Sequence, residues 1–312
     1  MSYYIIKKTI SILAAVTGIS CFSLAGCGKE MTTIANQGNQ EPVVTTEPTE
    51  TPSKEEITVT PTLEVEESVR GRLLIAGDLS EQKEISTDEL VITEKANEDS
   101  VKGDHGEILL TISTKIPVVT ISGNEEASNL INQSLNEIKD AAIRSKEEYV
   151  EIAKEDYATK PVQDQQYWGG YGMYLDYAIG RADSGVISFR IMDSRYTGGA
   201  HPNTAYFGVS YDVHTGKQLL LENIATDADA FKKEVEDACI EIAKNTENKE
   251  VLFEDYAQYM GDLLNEDTWW LTENGLIVIV NPYLISSYAA GTLYFEIPYS
   301  QLKYFNTQYC PD

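Results

Sequence analysis

The aromatic residues lie almost entirely in one part of the chain, and this limits where a hydrophobic core can form. Residues 105–312 carry 26 of the 29 Phe, Trp and Tyr residues, whereas residues 28–104 carry none. Aromatic side chains bury large apolar areas, so a segment without them lacks the material for a packed core. We therefore predict one folded domain over residues 105–312.

The segment before this domain has the composition of a spacer. Residues 28–104 contain eighteen acidic and seven basic residues, and four prolines fall between positions 42 and 61. Excess charge of one sign and low hydrophobicity favour an extended chain without a core. We predict a disordered, acidic, Thr/Glu/Pro-rich linker over residues 28–104. The apolar stretch at residues 72–76 is either a local strand or docking segment or, as we prefer, part of that linker.

The first 27 residues are typical of a lipoprotein signal peptide. Lys7 and Lys8 form a basic start, and the apolar stretch over residues 9–24 is shorter than the roughly 20 residues of a membrane-spanning helix. The Leu-Ala-Gly-Cys motif that ends at Cys27 resembles the bacterial lipobox. We expect Cys27 to be lipidated and to anchor the chain at the extracytoplasmic face of a bacterial membrane. The alternatives are an ordinary signal peptide and an uncleaved signal anchor.

The charge of the chain limits its partners. Fifty acidic and 24 basic residues give a formal net charge of −26, of which −17 falls in residues 105–312. Nucleic acid is not an expected partner, because phosphate binding needs clustered Lys and Arg. The excess of acidic residues also opposes docking on anionic lipid headgroups, and it favours cationic partners.

Hydrophobic periodicity in residues 105–312, which we call the acidic domain, predicts an α+β fold. Strands are predicted where β-formers alternate, and helices where apolar residues recur at helical spacing after the N-caps Asn124 and Asp227. The predicted strand regions are residues 107–122, 173–179, 187–191, 206–213, 269–280 as a hairpin, and 293–297. Strands in series with segregated helices predict an antiparallel sheet packed against a few helices.

The sequence contains no recognisable catalytic constellation. Of the three His residues, His201 lies in a Gly-rich turn without a nearby nucleophile, an acidic orienting residue or a second metal ligand at a known spacing. We expect no enzymatic activity, no cofactor and no metal. Once the signal peptide is removed and Cys27 is acylated, Cys239 and Cys310 remain. They can form a disulfide in an oxidising location, but the sequence does not show whether they are close.

An ordered set of motifs extends over much of the acidic domain. Tyr-Thr-Gly-Gly-Ala-His at residues 196–201 is followed by Tyr-Asp-Val-His-Thr-Gly-Lys-Gln-Leu at 211–219, Asn-Pro-Tyr at 281–283, Tyr-Ala-Ala-Gly at 288–291 and Phe-Glu-Ile-Pro-Tyr-Ser-Gln-Leu at 295–302. This set resembles the extracytoplasmic domain of the RsiV family, anti-sigma factors that sense lysozyme. The same domain accompanies some peptidoglycan deacetylases and occurs in bacterial lipoproteins of unassigned function.

The resemblance implies an α+β fold with a binding rather than a catalytic role. Its signature loops contain Tyr196, His201, Tyr283 and Tyr288, which are our ligand-binding candidates; the alternative is that these residues only hold turns in place. The lipobox stands where the sensor has a transmembrane helix, so we expect no anti-sigma role. The expected partner is a cationic protein such as lysozyme or a cell-envelope glycan. The alternative function is a peptidoglycan-binding module or an accessory of a cell-wall-modifying enzyme.

Overall fold

The computed structural model describes residues 71–311. The predicted signal peptide, the lipidation site Cys27 and residues 28–70 of the predicted linker lie outside the described residues. Within the described part of the chain, no helix is long and apolar enough to cross a membrane.

The larger of two sheets has six strands in the order β2-β3-β4-β5-β6-β7. The strands are β2 (Ile85–Ser86), β3 (Leu90–Lys102), β4 (Ile108–Ile121), β5 (Tyr171–Ala182), β6 (Val186–Tyr196) and β7 (Asn203–Asp212). All neighbouring pairs are antiparallel except β4 and β5, which are parallel. The helices between these two strands are α1 (Glu125–Ala142), α2 (Lys146–Thr159) and α3 (Val162–Gln165).

Helix α1 begins where the sequence predicted. The Asn124 side chain accepts a hydrogen bond from Ala127 N at 3.2 Å, and two acidic residues in the first turn complement the partial positive charge of the helix N-terminus. Its buried residues Ile131 and Leu135 pack into the core beneath Phe189 of β6. The apolar periodicity predicted one long helix, but the helix breaks at residues 143–145 and α2 follows.

The smaller sheet has four antiparallel strands in the order β1-β10-β9-β8. Its strands are β1 (Arg72–Leu74), β8 (Trp269–Leu271), β9 (Gly275–Val280) and β10 (Leu293–Pro298), and the helices α4 (Leu221–Ile224) and α5 (Ala228–Asn245) precede β8. Asp227 caps α5 by accepting from Ala230 N at 3.0 Å, as predicted. Phe231 and Val235 of α5 are buried in the core against Phe295 of β10.

The α+β class is confirmed, and the parallel pair adds one feature that the sequence did not predict. Parallel neighbours require a long crossover connection, whereas antiparallel ones can be joined by tight turns. The helices between β4 and β5 provide this crossover, so the larger sheet is mixed rather than purely antiparallel.

The predicted boundary between linker and domain at residue 104 is wrong. Residues 71–104 contain three strands, and the 13-residue β3 pairs with β4 along its whole length. Leu90 and Ile92 of β3 are buried, while most of the remaining β3 residues are exposed. A strand needs few apolar residues when a long neighbour satisfies its backbone, and composition does not reveal that neighbour. Residues 72–74 form β1, so the strand alternative for residues 72–76 is correct.

The disulfide that the sequence left open is not formed. Cys239 and Cys310 are both free thiols. Cys239 is fully buried in α5, and Cys310 is half-buried against the same core. Burial raises the pKa of the Cys239 thiol well above its ordinary value, so this thiol stays protonated.

The two sheets meet where β8 crosses the larger sheet. Leu271 N donates to Ser188 Oγ at 2.8 Å, and the Ser188 and Ser210 hydroxyl groups are 2.7 Å apart. Gly208 N donates to Asp267 O at 2.9 Å, which brings the two backbones together. A Cβ atom at Gly208 would lie 1.7 Å from Trp269 O, so only glycine permits this approach.

We expect Gly208→Ala to destabilise the fold by about 3 kcal/mol or more, because the added methyl group meets rigid backbone rather than a movable side chain. Urea unfolding measures the change. Gly261→Ala is the matched control, since the nearest atom to its added Cβ lies at 3.7 Å. The control is expected to change the free energy of unfolding by less than about 0.5 kcal/mol. Equal effects of both substitutions would contradict this account of the sheet junction.

A chain that begins at residue 105 is expected to lose cooperative folding, whereas one that begins at residue 71 keeps it. The shorter chain lacks the buried side chains of Leu73, Leu74, Leu90 and Ile92. Each contributes about 2 kcal/mol, and a typical domain is stable by only about 5–15 kcal/mol. Thermal unfolding followed by circular dichroism compares the two chains. A cooperative transition of the shorter chain at the same temperature would contradict this prediction.

Candidate functional site

Two loops from different sheets meet at one surface. Residues 197–202 connect β6 to β7, and residues 281–292 connect β9 to β10. The side chain of Asn281 joins the second loop to β7, the strand that follows the first loop: Tyr206 N donates to Asn281 Oδ1 at 2.8 Å, and Asn281 Nδ2 donates to Tyr206 O at 2.8 Å. This side chain pairs with β7 as a neighbouring strand would, so the start of the second loop is held in a defined place.

The first loop is anchored at the end of β6. Arg195 and Asp193 form a buried ion pair at 2.6 Å, and Arg195 Nη2 also donates to the carbonyl of Ala142 at the end of α1. Gly198 and Gly199 then adopt φ values of 88° and 94°, a region that glycine enters without steric cost. The chain therefore turns sharply just after the end of β6, which the contacts of Arg195 hold in place.

Three aromatic rings come together where the loops meet. The His201 and Tyr288 rings stack with centroids 3.8 Å apart and planes 17° from parallel. Tyr288 Oη donates to Pro202 O at 2.8 Å, which ties the second loop to the first. The Tyr283 ring lies 6.0 Å from that of Tyr288, at 31°. We call His201, Tyr283 and Tyr288 the aromatic platform.

Tyr283 is held in an unusual backbone conformation that keeps its ring in solvent. Its φ of 75° is the only positive value at a non-glycine residue within residues 71–311. Tyr283 is 63% exposed, and its backbone N–H donates to Ser286 O at 2.9 Å. A left-handed conformation costs a non-glycine residue about 1–2 kcal/mol. Strain of this kind is found at functional sites more often than elsewhere.

The structure brings together three of the four candidate residues. His201, Tyr283 and Tyr288 form the platform, whereas Tyr196 stands at the base of the first loop and donates to Gly199 O at 3.2 Å. Tyr196 therefore supports the turn, as the alternative interpretation of these residues held. Sequence reasoning missed the role of Asn281. Its position before Pro282 marked a turn, but nothing in the sequence indicated its hydrogen bonds to β7.

The platform offers flat aromatic surface with little polar chemistry. The His201 Nδ1 atom lies 3.0 Å from Pro202 O, so this ring nitrogen is engaged with the backbone. No group of three or more His, Cys, Asp or Glu side chains that could hold a metal ion occurs in residues 71–311. An arrangement of this kind can stack on a planar group or insert rings into a partner surface.

The phenols of Tyr206 and Tyr294 remain neutral at ordinary pH. Their rings meet edge to face at 6.2 Å. Burial raises the pKa of both phenols, and the nearby Arg190 guanidinium opposes this rise only in part.

We expect Tyr283→Gly to be more stable than Tyr283→Ala by about 1 kcal/mol, because glycine adopts the positive φ without strain. Urea unfolding of the two variants tests this difference. Both variants lose the ring, so the comparison isolates the backbone. Equal stability of the two would show that the loop relaxes to another conformation once the ring is removed.

The chain is similar to known families in two consecutive parts. Residues 105–204 match the family model described as "Deacetylase PdaC", and residues 220–300 match that of a protein of unknown function, DUF3298. The first loop lies in the former part and the second loop in the latter. The platform therefore takes His201 from the first matched segment and Tyr283 and Tyr288 from the second.

Two solved structures of DUF3298 family proteins are similar to this chain. A protein from Bacteroides fragilis aligns with a TM-score of 0.48 and 19% identity over 70% of this chain and 94% of its own. A Pseudomonas aeruginosa protein aligns with a TM-score of 0.46 and 18% identity, over 72% and 98%. A search of the curated proteins found no match. The matches of residues 105–204 to the PdaC model and of residues 220–300 to the DUF3298 model agree with the RsiV-like resemblance at a coarse level.

Proposed function

We propose that this chain is a membrane-anchored surface lipoprotein whose folded region binds a cationic protein, with lysozyme as the first candidate, and catalyses nothing. The observation that carries the proposal is the aromatic platform. It combines an exposed Tyr283 ring with a stacked pair, His201 and Tyr288, on two loops that the Tyr288–Pro202 hydrogen bond ties together.

Tyrosine rings of this kind are frequent anchors of protein interfaces. They supply a large apolar area and a polar tip with few rotatable bonds, so little conformational entropy is lost on binding. The platform is also fixed before any partner arrives, because Tyr288 is hydrogen-bonded to the opposite loop. Preorganisation of this kind lowers the cost of association.

The charge of the folded region supports a cationic partner. Residues 71–311 contain forty acidic and nineteen basic residues, a net charge of −21. Opposite charge speeds the encounter of two proteins and makes the rate depend on salt, while aromatic contacts contribute most to the lifetime of the complex. Lysozyme is basic, and its binding is the property that the RsiV-like resemblance implies.

A non-catalytic role is supported by the surroundings of His201. A general base needs a free ring nitrogen near a reacting group and a group that orients the ring. Here one ring nitrogen faces Pro202 O and the ring plane lies on Tyr288. These contacts suit a residue that shapes a surface.

The anchoring part of the proposal rests on the sequence. The basic start, the short apolar stretch and the Leu-Ala-Gly-Cys motif ending at Cys27 support lipidation. Because β1 begins at Arg72, the chain between Cys27 and this strand is shorter than the linker that the sequence predicted. We propose that its more than forty residues, which carry an excess of acidic side chains, hold the platform away from the membrane.

A cell-envelope glycan is the second candidate ligand. The Tyr283 and Tyr288 rings are tilted by only 31°, so they can present neighbouring faces to consecutive sugar rings. Under this alternative the chain is a peptidoglycan-binding module or an accessory of a cell-wall-modifying enzyme.

Calorimetry of residues 28–312 with lysozyme at low salt is expected to show binding that Tyr283→Gly and Tyr288→Ala each weaken at least tenfold, about 1.4 kcal/mol, since both remove a platform ring. Tyr167→Ala is the matched control, because Tyr167 is 81% exposed but lies before β5, outside both loops. Its affinity should stay within about twofold of the parent chain.

The absence of binding heat at low salt, where attraction between opposite charges is strongest, would overturn the lysozyme proposal. Equal weakening by Tyr167→Ala would show that the loss of affinity is not specific to the platform rings. Retention of the chain on purified peptidoglycan at high salt, lost in Tyr283→Gly, would establish the glycan alternative instead.

A further inference from the structure

A cavity of about 310 Å³ lies between the two sheets, away from the platform. Its walls come from β5 and β6 on one side and from β8, β9 and β10 on the other. This volume is at the lower end of the range for sites that hold small molecules, which is about 300–1,000 Å³. No residue that lines the cavity belongs to the aromatic platform.

Residues 75–81 pass along the cavity, are attached to the sheets at their two ends and contact the smaller sheet between them through Leu79. We call them the strap. On one side β1 pairs with β10, and on the other Ile179 N donates to Gln82 O at 2.8 Å and Lys83 pairs with Asp176 at 2.6 Å. Between these attachments the strap is exposed apart from the half-buried Leu79.

Two buried charges of opposite sign line the cavity, one on each sheet. Arg190 of β6 is 5% exposed and Glu296 of β10 is 8% exposed. Each has a partner from the N-terminal segment that remains in solvent. Arg190 Nη2 pairs with Glu81, whose side chain is 62% exposed, and Glu296 pairs at 2.5 Å with Arg72, whose side chain is 61% exposed.

These pairs can be exchanged at low cost. A buried charge requires a partner, because leaving it alone in the interior is strongly unfavourable. An exposed carboxylate or guanidinium returns to water readily when a ligand group replaces it. The buried members are well fixed: Arg190 lies 5.2 Å from the Tyr206 ring centroid and 5.8 Å from that of Tyr294.

The remaining wall is partly apolar and partly polar, and its polar part includes Asp78, Gln82, Glu273 and Asn274. The indole of Trp270 and the side chain of Ile277 belong to a buried cluster that also includes Leu74, and Leu79 of the strap packs against it. Gly180 allows the indole to approach, since a Cβ there would lie 2.4 Å from Trp270 Cδ1. A ligand at this place would meet a cationic, an anionic and an apolar surface together.

We propose that this cavity binds a small zwitterion, an amino acid or dipeptide with an apolar side chain. Its carboxylate pairs with Arg190 in place of Glu81, its ammonium pairs with Glu296 in place of Arg72, and its side chain lies against Trp270. The site is independent of the platform and of the proposed partner protein.

Phenylalanine and the dipeptide alanyl-phenylalanine are suitable probes for residues 28–312, with binding followed by calorimetry and by tryptophan fluorescence. N-acetylphenylalanine lacks the ammonium charge, and phenylalaninamide lacks the carboxylate. Each is expected to bind at least tenfold more weakly than phenylalanine. Binding of either derivative as tight as that of phenylalanine would overturn the proposal.

Glu81→Gln and Arg72→Gln remove the groups that a ligand must displace, so each is expected to tighten phenylalanine or dipeptide binding about threefold or more. Each substitution leaves a buried charge without its charged partner, although glutamine can still hydrogen-bond to it, so circular dichroism checks that both variants keep the fold. Glu254→Gln, an exposed carboxylate that does not line the cavity, is the matched control and should have no effect. Arg190→Gln should abolish binding. Failure of both probes to bind the parent chain and both tightening variants would refute the site.

Discussion

The contact between β8 and the larger sheet makes one structure from two segments that match separate families. Ser188 Oγ receives the Leu271 amide, and Gly208 gives Trp269 and Asp267 access to the backbone of β7. The Ser188–Leu271 hydrogen bond is buried, and the approach at Gly208 has no room for an added carbon atom. The position of the smaller sheet, and of everything that extends from it, therefore depends on a small hydroxyl and a missing side chain.

The positions of the aromatic platform and of the cavity both depend on this contact between β8 and the larger sheet. The loop after β9 reaches the loop after β6 only because the sheets are fixed together, and Asn281 then extends the pairing of β7 beyond the sheet itself. Asn281 therefore holds the start of the second loop in place, while Tyr283 in the same loop has a strained, positive φ. The cavity uses the same junction differently: Trp270 of β8 forms its apolar wall, while Arg190 faces it from β6.

Helices and most strands could be predicted from local patterns, because their causes are local. Asn124 and Asp227 cap helices through bonds to residues three positions away, and alternation indicated the strands around Phe189 and Val278. The strands at residues 72–74 and 90–102 could not be predicted in the same way. The backbone of residues 72–74 is hydrogen-bonded to β10, which lies far along the chain. The backbone of residues 90–102 is hydrogen-bonded to β4, which carries most of the apolar residues of this strand pair.

The sequence by itself determined the α+β class, the acidic composition and the four candidates Tyr196, His201, Tyr283 and Tyr288, since motif, periodicity and charge are properties of the chain. Only the tertiary structure decided that His201 stacks on Tyr288 while Tyr196 supports a turn, that Cys239 and Cys310 stay free, and that Arg190 and Glu296 face one cavity. These outcomes depend on distances between residues far apart in the chain. Such distances are set by how the two sheets pack, which no local pattern encodes.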